Sequence, residues 1–345
     1  MFPRHHLARR AALLLLTCMA AILTGCWRDL PQAWSDPRGP VAEFQLDLFS
    51  LSLYISIGLA LLVILVLVYI IFRFRQREGE KREALQIHGN SKLEIAWTLL
   101  PILILAAVSI PTVNLSYRSH TADSPADVKV KAIGKQFFFH FEYPDLGIVT
   151  GNEMVIPAGK TIVFELGSND VIHSFWVPKL AGKTDMIPGR TNTLWFRADE
   201  PGMYWGHCAE FCGASHAQMR FRVRAVTPAE FDAWVAKWQK PAVESTEAAA
   251  QAGKALFFGA KPAKAACYAC HAIQGSKAQA NVGPNLTRLS ERSTLGAGLI
   301  ANTEENLKAW IRNPALIKPG NLMPGHPNLT EEELDQLVQY LYSIK

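Results

Sequence analysis

The chain has 345 residues, of which 49% are hydrophobic, so it is long enough for about two domains and its composition leans towards membrane contact. Its formal net charge is +5, but Arg4, Arg9 and Arg10 lie in a segment with the pattern of a targeting signal. Removing these three from the 35 basic residues leaves 32 against 30 acidic ones, and so small an excess gives no reason to expect nucleic acid as a partner.

The N-terminus predicts an export signal. The three arginines precede the apolar run AALLLLTCMAAIL, which is too short to span a bilayer. The run leads into Leu23-Thr24-Gly25-Cys26, which resembles a bacterial lipobox, where the chain is cut before the cysteine and lipid is attached to it. Lipidation of Cys26 would add a second membrane anchor. An ordinary signal peptide with a cysteine near its end is the alternative.

Two longer apolar stretches, 51–72 and 95–117, carry no charge and are long enough to cross about 30 Å of hydrocarbon. Two prolines in the second stretch are tolerable in a membrane helix. A pair of buried helices in a soluble core is the alternative. Between the stretches lies a basic cluster, which the positive-inside rule places in the cytoplasm: Arg73, Arg75, Arg77, Lys81 and Arg82. A hairpin with this loop inside leaves both ends of the mature chain outside, as the export signal also requires.

The cysteines fall into groups with different predicted fates. Of the six, Cys18 leaves with the signal and Cys26 is the predicted lipid site, so four remain in an oxidising compartment, where thiols normally pair. Cys267 and Cys270 lie in CYACH, the C-x-x-C-H pattern of covalent haem attachment, with His271 as an iron ligand. A redox-active C-x-x-C would usually start a helix in a thioredoxin-like βαβ setting, a pattern that this sequence lacks.

The haem iron needs a second axial ligand. Met323, in NLMPG, is the only methionine after residue 219, and His326 is its competitor. Methionine–histidine ligation raises the reduction potential, which suits a haem that feeds an oxidant. Thr330 and Glu333 form a capping box for a closing helix with apolar residues at helical spacing. These surroundings are similar to those of a small, all-α class I cytochrome c.

The region 128–226 predicts β-structure. Its runs VKVKAIG, FFFHFEY, TIVFELG, TNTLWFRA and MRFRVRAV are short, apolar or alternating, and are separated by turn residues. After it, Thr227 and Glu230 form a capping box for another helix. A sandwich or barrel of this kind could hold blue copper, but that site uses a single cysteine.

The loop CAEFCGASHAQM, residues 208–219, contains the other two thiols. Cys208 and Cys212 are close enough for both thiolates to bridge two copper ions, whose charge they would largely offset. Each copper then needs an imidazole: His216 supplies one, and NDVIHSFWVP offers His173. A structural disulfide would leave the histidine and Met219 unexplained, and a tetrahedral zinc site has no need of methionine.

Together these motifs resemble subunit II of haem–copper cytochrome c oxidases, with a cytochrome c fused to the C-terminus. The resemblance covers residues 45–345 and depends on LEIAWTLLP, HSFWVP, KTDMIPGR and CAEFCGASHAQM, followed by the haem motif. It implies a transmembrane hairpin, then an all-β cupredoxin-like Greek-key domain, then an all-α cytochrome c domain. It also implies electron transfer from the haem through a dinuclear copper A centre to subunit I, where oxygen is reduced and protons are pumped.

The same resemblance assigns individual residues. It implies that six residues hold copper A: His173, Cys208, Glu210, Cys212, His216 and Met219. Glu210 would bind copper through its carbonyl and face a magnesium site shared with subunit I through its carboxylate, an oxygen ligand that suits a hard cation. His207 has no ligand role in the family pattern. Glu94 corresponds to a carboxylate near a proton-channel mouth, and a helix-end acid that reaches the membrane surface is the alternative.

The predicted organisation has eight segments: 1–25 (lipoprotein-type signal peptide), 26–46 (N-terminal segment outside the cytoplasm), 47–73 (first membrane helix), 74–92 (cytoplasmic loop), 93–117 (second membrane helix), 118–240 (copper domain), 241–250 (linker) and 251–345 (cytochrome c domain). The expected location is the bacterial inner membrane, with the copper and haem domains on the periplasmic side. Expected partners are oxidase subunits I and III, the bilayer, and a cytochrome c or an upstream donor complex. A membrane-tethered electron carrier and a copper-delivery protein are the alternatives.

One stretch departs from the family pattern. In most relatives the aromatic run after the first strand is rich in tryptophan, and its first tryptophan receives the electron from soluble cytochrome c. Here Phe137, Phe138 and Phe139 occupy that place. Phenylalanine lacks the indole N–H, and a tethered haem has a high effective concentration, so we expect the fused domain to be the main electron donor. Ordinary strand packing is the alternative interpretation of these residues.

Overall fold

The structure is a computed structural model that describes residues 13–14, 16–18, 30–76, 79, 86, 88–122, 124–259 and 265–345. The predicted cleavage and lipidation site at Cys26 lies outside the described residues, as do Arg77, Lys81 and Arg82 of the basic cluster. The signal peptide, the lipid anchor and part of the cytoplasmic loop therefore stay predictions.

Two long helices form the N-terminal hairpin. Helix α1 spans Pro40–Arg73 and helix α2 spans Ser91–His120, and both are long and apolar enough to cross a membrane. Pro101 and Pro111 lie inside α2 without ending it. Helix α1 begins before the predicted membrane segment because a proline suits its first turn, and that turn is buried against the domain that follows.

Ten strands form the next domain, here called the β domain: β1 Val128–Lys135, β2 Phe138–Tyr143, β3 Ile148–Gly151, β4 Glu153–Pro157, β5 Ile162–Ser168, β6 His173–Trp176, β7 Thr184–Met186, β8 Asn192–Phe196, β9 Gly202–Cys208 and β10 Arg220–Val226. One sheet has the order β3-β2-β1-β5-β8 and the other β4-β10-β9-β6-β7. The β1–β5 and β4–β10 pairs are parallel and the other pairs antiparallel. The predicted cupredoxin-like sandwich is confirmed.

The core between the two sheets contains a cluster of packed aromatic rings. The ring of Phe221 lies 4.6 Å from those of Phe139 and Phe175, measured between centroids. Phe139 is fully buried in this cluster, so packing accounts for its place in the aromatic run. Helix α3, Pro228–Trp238, covers one end of the sandwich and starts at the predicted capping box.

The C-terminal domain, residues 248–345, is helical. Its helices are α4 Ala248–Phe257, α5 Glu304–Arg312, α6 Pro314–Ile317 and α7 Glu331–Ser343, with one small hairpin of β11 Thr294–Leu295 and β12 Ile300–Ala301. Helix α7 starts at the second predicted capping box. Helices α4 and α7 cross so closely that a Cβ at Gly253 would lie 1.9 Å from the Gln336 carbonyl oxygen. The all-α prediction is confirmed apart from the short β11–β12 hairpin.

The predicted linker pairs with the C-terminal end of the chain. The Val243 N–H donates to the Lys345 carbonyl at 2.8 Å, and the Lys345 N–H donates back at 3.2 Å. Glu244 pairs with Lys254 of α4. Helix α4 starts at Ala248, within the segment predicted as linker. The connection is therefore packed along the C-terminal domain.

Candidate metal centre and cofactor cavity

Residues 208–219, the thiol loop, connect β9 to β10. Cys208 ends β9 and Cys212 lies in the loop, and both side chains are 3% exposed. Their sulfur atoms are 3.9 Å apart, about twice the length of a disulfide bond. Two unoxidised thiols therefore face each other in a buried setting.

Two imidazoles and two further ligand atoms point at the thiols. His173, the first residue of β6, has Nδ1 3.8 Å from the Cys208 sulfur, and His216 has Nδ1 3.7 Å from the Cys212 sulfur. The Met219 sulfur lies 3.8 Å from that of Cys212. The Glu210 carbonyl oxygen lies 3.2 Å from the Cys208 sulfur. All six predicted copper residues are thus brought together: His173, Cys208, Glu210, Cys212, His216 and Met219.

The electrostatics of the thiol pair favour metal binding. The hydrogen-bonding contact with Cys212 is the main factor that lowers the pKa of Cys208, to about 3, and contacts with His173 add to it. The same sulfur–sulfur contact raises the pKa of Cys212, because one proton is shared by a buried pair. A metal cation would replace that proton, since the thiolate is the form that binds metals.

Asp170 orients His173 from behind and was not predicted. Its Oδ1 lies 2.8 Å from Nε2 of His173, which fixes the ring with Nδ1 towards the thiols. The Gln136 N–H donates to the same carboxylate at 2.7 Å. Although burial opposes it, these hydrogen bonds lower the pKa of Asp170. For His173, burial alone would lower the pKa, but the contacts with Cys208 and Asp170 outweigh it and raise the pKa. The signal in the sequence was the carboxylate three residues before the histidine.

Glu210 contributes only its backbone carbonyl to this cluster, and His207 and Glu94 lie outside it. The Glu210 side chain is exposed, so its carboxylate is free to face a neighbouring chain. His207 points away from the thiols, and its Nδ1 lies 2.9 Å from the Gln32 side-chain nitrogen. Glu94 lies in the first turn of α2.

A cavity of about 310 Å³ is lined mainly by the C-terminal domain, and its walls include Cys267, Cys270 and His271 of the C-x-x-C-H motif. The His271 Nδ1 lies 2.8 Å from the Pro284 carbonyl oxygen, to which it donates, leaving Nε2 as the ring nitrogen for a metal. Burial lowers the pKa of His271, which keeps the imidazole neutral, as a ligand must be. The cavity therefore fits a haem held by this motif.

Both candidates for the second axial ligand, Met323 and His326, line the cavity. The Met323 N–H donates to the Asn321 side-chain oxygen at 2.9 Å, which fixes the backbone beside the methionine. Phe137 and Phe138 of the β domain line the same cavity. The aromatic run that departs from the family pattern therefore contacts the C-terminal domain.

Known families match the chain along most of its length. The family models are the transmembrane domain of cytochrome c oxidase subunit II (residues 30–115), the periplasmic domain of the same subunit (147–226) and cytochrome c (250–345). A cytochrome c oxidase subunit 2 from Alkalihalophilus pseudofirmus is 38% identical over 335 residues, covering 96% of each chain. That from Bacillus sp. PS3 is 40% identical over 352 residues, also covering 96% of each.

Other relatives match part of the chain. A quinol oxidase subunit 2 from Bacillus cereus is 36% identical over 244 residues, covering 69% of this chain and 83% of the relative. The solved periplasmic domain of cytochrome oxidase subunit II from Bradyrhizobium japonicum is 37% identical, covering 34% of this chain and 96% of that one, with a TM-score of 0.33.

These matches define a membrane-anchored oxidase subunit with a large domain outside the membrane and a cytochrome c domain at its end. The chain belongs to the cytochrome c oxidase subunit 2 family.

Proposed function

We propose that this chain is the subunit through which electrons enter a proton-pumping haem–copper oxidase. It receives electrons at a haem in the C-terminal domain, passes them to a dinuclear copper A centre in the thiol loop, and delivers them to subunit I, which contains the oxygen-reducing site. The observation that carries the proposal is the buried pair of unoxidised thiols 3.9 Å apart, each with an imidazole Nδ1 beside it.

The ligand set fits two copper ions. Two thiolates, two imidazoles, a thioether and a carbonyl are the soft and intermediate donors that copper prefers. Cys208 and Cys212 would bridge the ions, His173 and Met219 would complete one, and His216 with the Glu210 carbonyl the other. Bridging by both sulfurs lets the ions share one electron with little bond rearrangement. The aromatic core and the strand ends hold the ligand atoms in place as charge moves.

The cavity fits a covalently bound haem. Cys267 and Cys270 would form thioethers, with His271 and Met323 as axial ligands. Methionine ligation is preferred over His326 because it raises the potential, which suits a haem that feeds an oxidant.

The remaining assignments concern the membrane and the partners. The exposed carboxylate of Glu210 would contribute to a magnesium site at the interface with subunit I, and Glu94 would lie near a proton-channel mouth. Cys26 would carry lipid. The chain would reside in the bacterial inner membrane with its large domains in the periplasm, together with subunits I and III, and take electrons from a cytochrome c or a donor complex.

Purification of the intact complex tests the proposal. It should contain two coppers and one covalent haem for each copy of this chain, with an electron-spin signal of one electron shared over both coppers, and it should contain subunit I. A single copper, or zinc, would exclude the bridged site. Isolation without an oxidase partner would favour a tethered carrier.

The axial ligand is tested by a pair of variants. Met323→Ala should leave the haem attached but lower its potential and slow transfer to copper, whereas His326→Ala should leave both unchanged. The reverse pattern would identify His326 as the ligand.

A further inference from the structure

A row of hydrogen bonds fixes the C-terminal domain on the β domain. The Glu153 carboxylate of β4 accepts bonds of 2.7–3.0 Å from the N–H and hydroxyl groups of Ser293 and Thr294. Arg222, 3% exposed, donates to the Gly298 carbonyl at 3.2 Å. Charged groups are buried at low cost only where such partners are in place, so these contacts define one docking position for the C-terminal domain.

Near these contacts, the aromatic ring of Phe137 lies between the thiol loop and the cavity. The Gln136 side chain donates to the Cys212 carbonyl at 2.6 Å. The Phe137 ring packs on the same loop, since a Cβ at Gly213 would lie 3.2 Å from its Cζ. On its other side, a Cβ at Gly320 would lie 3.9 Å from the ring. Phe137 also lines the cavity, so it contacts both predicted redox sites.

Lys318, a residue of the C-terminal domain, forms a hydrogen bond with the backbone of Phe137. Its side chain is buried, and its ammonium donates to the Phe137 carbonyl at 2.6 Å and to the Gly296 carbonyl at 3.0 Å. The Lys318 carbonyl accepts from the Asn321 side chain at 2.7 Å, and the same side chain accepts from the Met323 N–H. One lysine thus connects the Phe137 backbone to the segment with the predicted axial methionine.

The position of this lysine has an energetic cost. Burial removes the ammonium group from water and lowers the pKa of Lys318 to about 7, and the two carbonyls to which it donates carry no charge that would offset this. A methionine of similar length would fill the same space without desolvating an ammonium group. The contribution of the lysine is therefore directional: it fixes two carbonyl groups, one on each domain.

We infer that Lys318 is a positioning residue for electron transfer between the two domains, because it holds Phe137 and the Met323 segment at a fixed separation. The inference rests on the proposed function. Electron tunnelling slows exponentially with the distance between donor and acceptor. Loss of the two hydrogen bonds would let the Phe137 segment and the methionine segment move independently, and the transfer rate would fall although both redox centres were intact.

The test compares Lys318→Met with Lys277→Met, which removes an exposed lysine of the same domain. Both variants are made in the full-length chain within the assembled oxidase. Three properties are measured: amide hydrogen exchange of residues 136–138 in the oxidised protein, the rate at which photoreduced haem passes its electron to copper, and the haem potential with the copper electron-spin signal. Lys318→Met should exchange faster at 136–138 and transfer electrons several-fold more slowly, with the potential and signal unchanged. Lys277→Met should match the wild type in all three.

Two outcomes would overturn the inference. Unchanged exchange and rate in Lys318→Met would mean that the lysine positions nothing. A lost haem or an altered copper signal would make it a structural part of those sites. Lys318→Arg, which keeps a hydrogen-bond donor at this position, should recover part of the rate. If the wild-type haem never reduces copper, the proposed function fails, and the exchange result still reports whether Lys318 holds the segment.

Discussion

The thiol loop and the cavity differ in how far the protein alone builds each site. In the thiol loop, the ligand atoms of His173, Cys208 and Cys212 all lie within 4.8 Å of one another, held by the ends of β6 and β9 against an aromatic core. In the C-terminal domain, the motif cysteines and histidine lie on a short 3-10 turn and the segment after it. They surround a cavity of about 310 Å³.

Because of this difference, we expect the two cofactors to contribute to folding in different degrees. Copper would enter a site whose ligands are preorganised, so the β domain should keep its fold without metal. Haem would fill space that side chains fill in an ordinary core. The C-terminal domain has a small core, clustered around Phe257, Leu337 and Tyr340, and should depend on its cofactor for stability.

The largest expected effect comes from preventing haem attachment with Cys267→Ala and Cys270→Ala together. A cavity of about 310 Å³ at ~24 cal/mol per Å³ corresponds to about 7 kcal/mol, an upper bound because water can enter. That approaches the whole stability of a small domain, about 5–15 kcal/mol. Thermal unfolding followed by circular dichroism should lose the transition of the C-terminal domain and keep that of the β domain. A fully folded, haem-free C-terminal domain would contradict the expectation that this domain depends on its cofactor for stability.

The second prediction removes a thiolate from the preorganised site. Cys208→Ser or Cys212→Ser should abolish the shared-electron signal, since each sulfur would serve both coppers, and leave the unfolding temperature of the β domain nearly unchanged. Electron-spin spectroscopy and calorimetry on the same sample measure both. Met219→Leu is the matched control: an axial thioether tunes potential more than it holds the site, so the signal should persist in altered form. A delocalised signal in either serine variant would disprove bridging.

The third prediction concerns the Asp170 carboxylate, which orients the predicted ligand His173. Asp170→Asn weakens the contact that orients His173, and such changes lower metal affinity by roughly 10–100-fold. Copper competition titrations measure the affinity, with Asp145→Asn, at an exposed position of the same domain, as control. Equal affinities for the two variants would show that the β6 strand alone orients the histidine.

The sequence predicts the features that depend on local patterns better than those that depend on distant contacts. The membrane helices, the two capping boxes and five of the strands have local patterns, and the structure confirms them. The spacing within residues 208–219 also indicated which side chains would converge. Strands such as β6 and β7 were not predicted, because they are three or four residues long and have no distinct alternation.

The contacts between domains were beyond prediction for a physical reason. Glu153 and Lys318 have ordinary local surroundings in the sequence, and their roles depend on partners in the other domain, 141 and 181 residues away along the chain. No periodicity or spacing encodes such a pairing. Phe137 was recognised only as a departure from a family pattern, and its position against both the thiol loop and the cavity depends on how the domains dock.

The smallest expected effect concerns the contact of Glu153 with the C-terminal domain. Glu153→Gln keeps the shape of the side chain but replaces charge-assisted hydrogen bonds to Ser293 and Thr294 with neutral ones, at a cost of about 1–2 kcal/mol. The C-terminal domain should therefore unfold a few degrees earlier, as followed by haem absorbance, while the β domain is unchanged. Glu165→Gln, an exposed glutamate of β5, is the control. If the two variants unfold at the same temperature, the C-terminal domain draws no stability from this contact, and its dependence on haem is greater than the structure suggests.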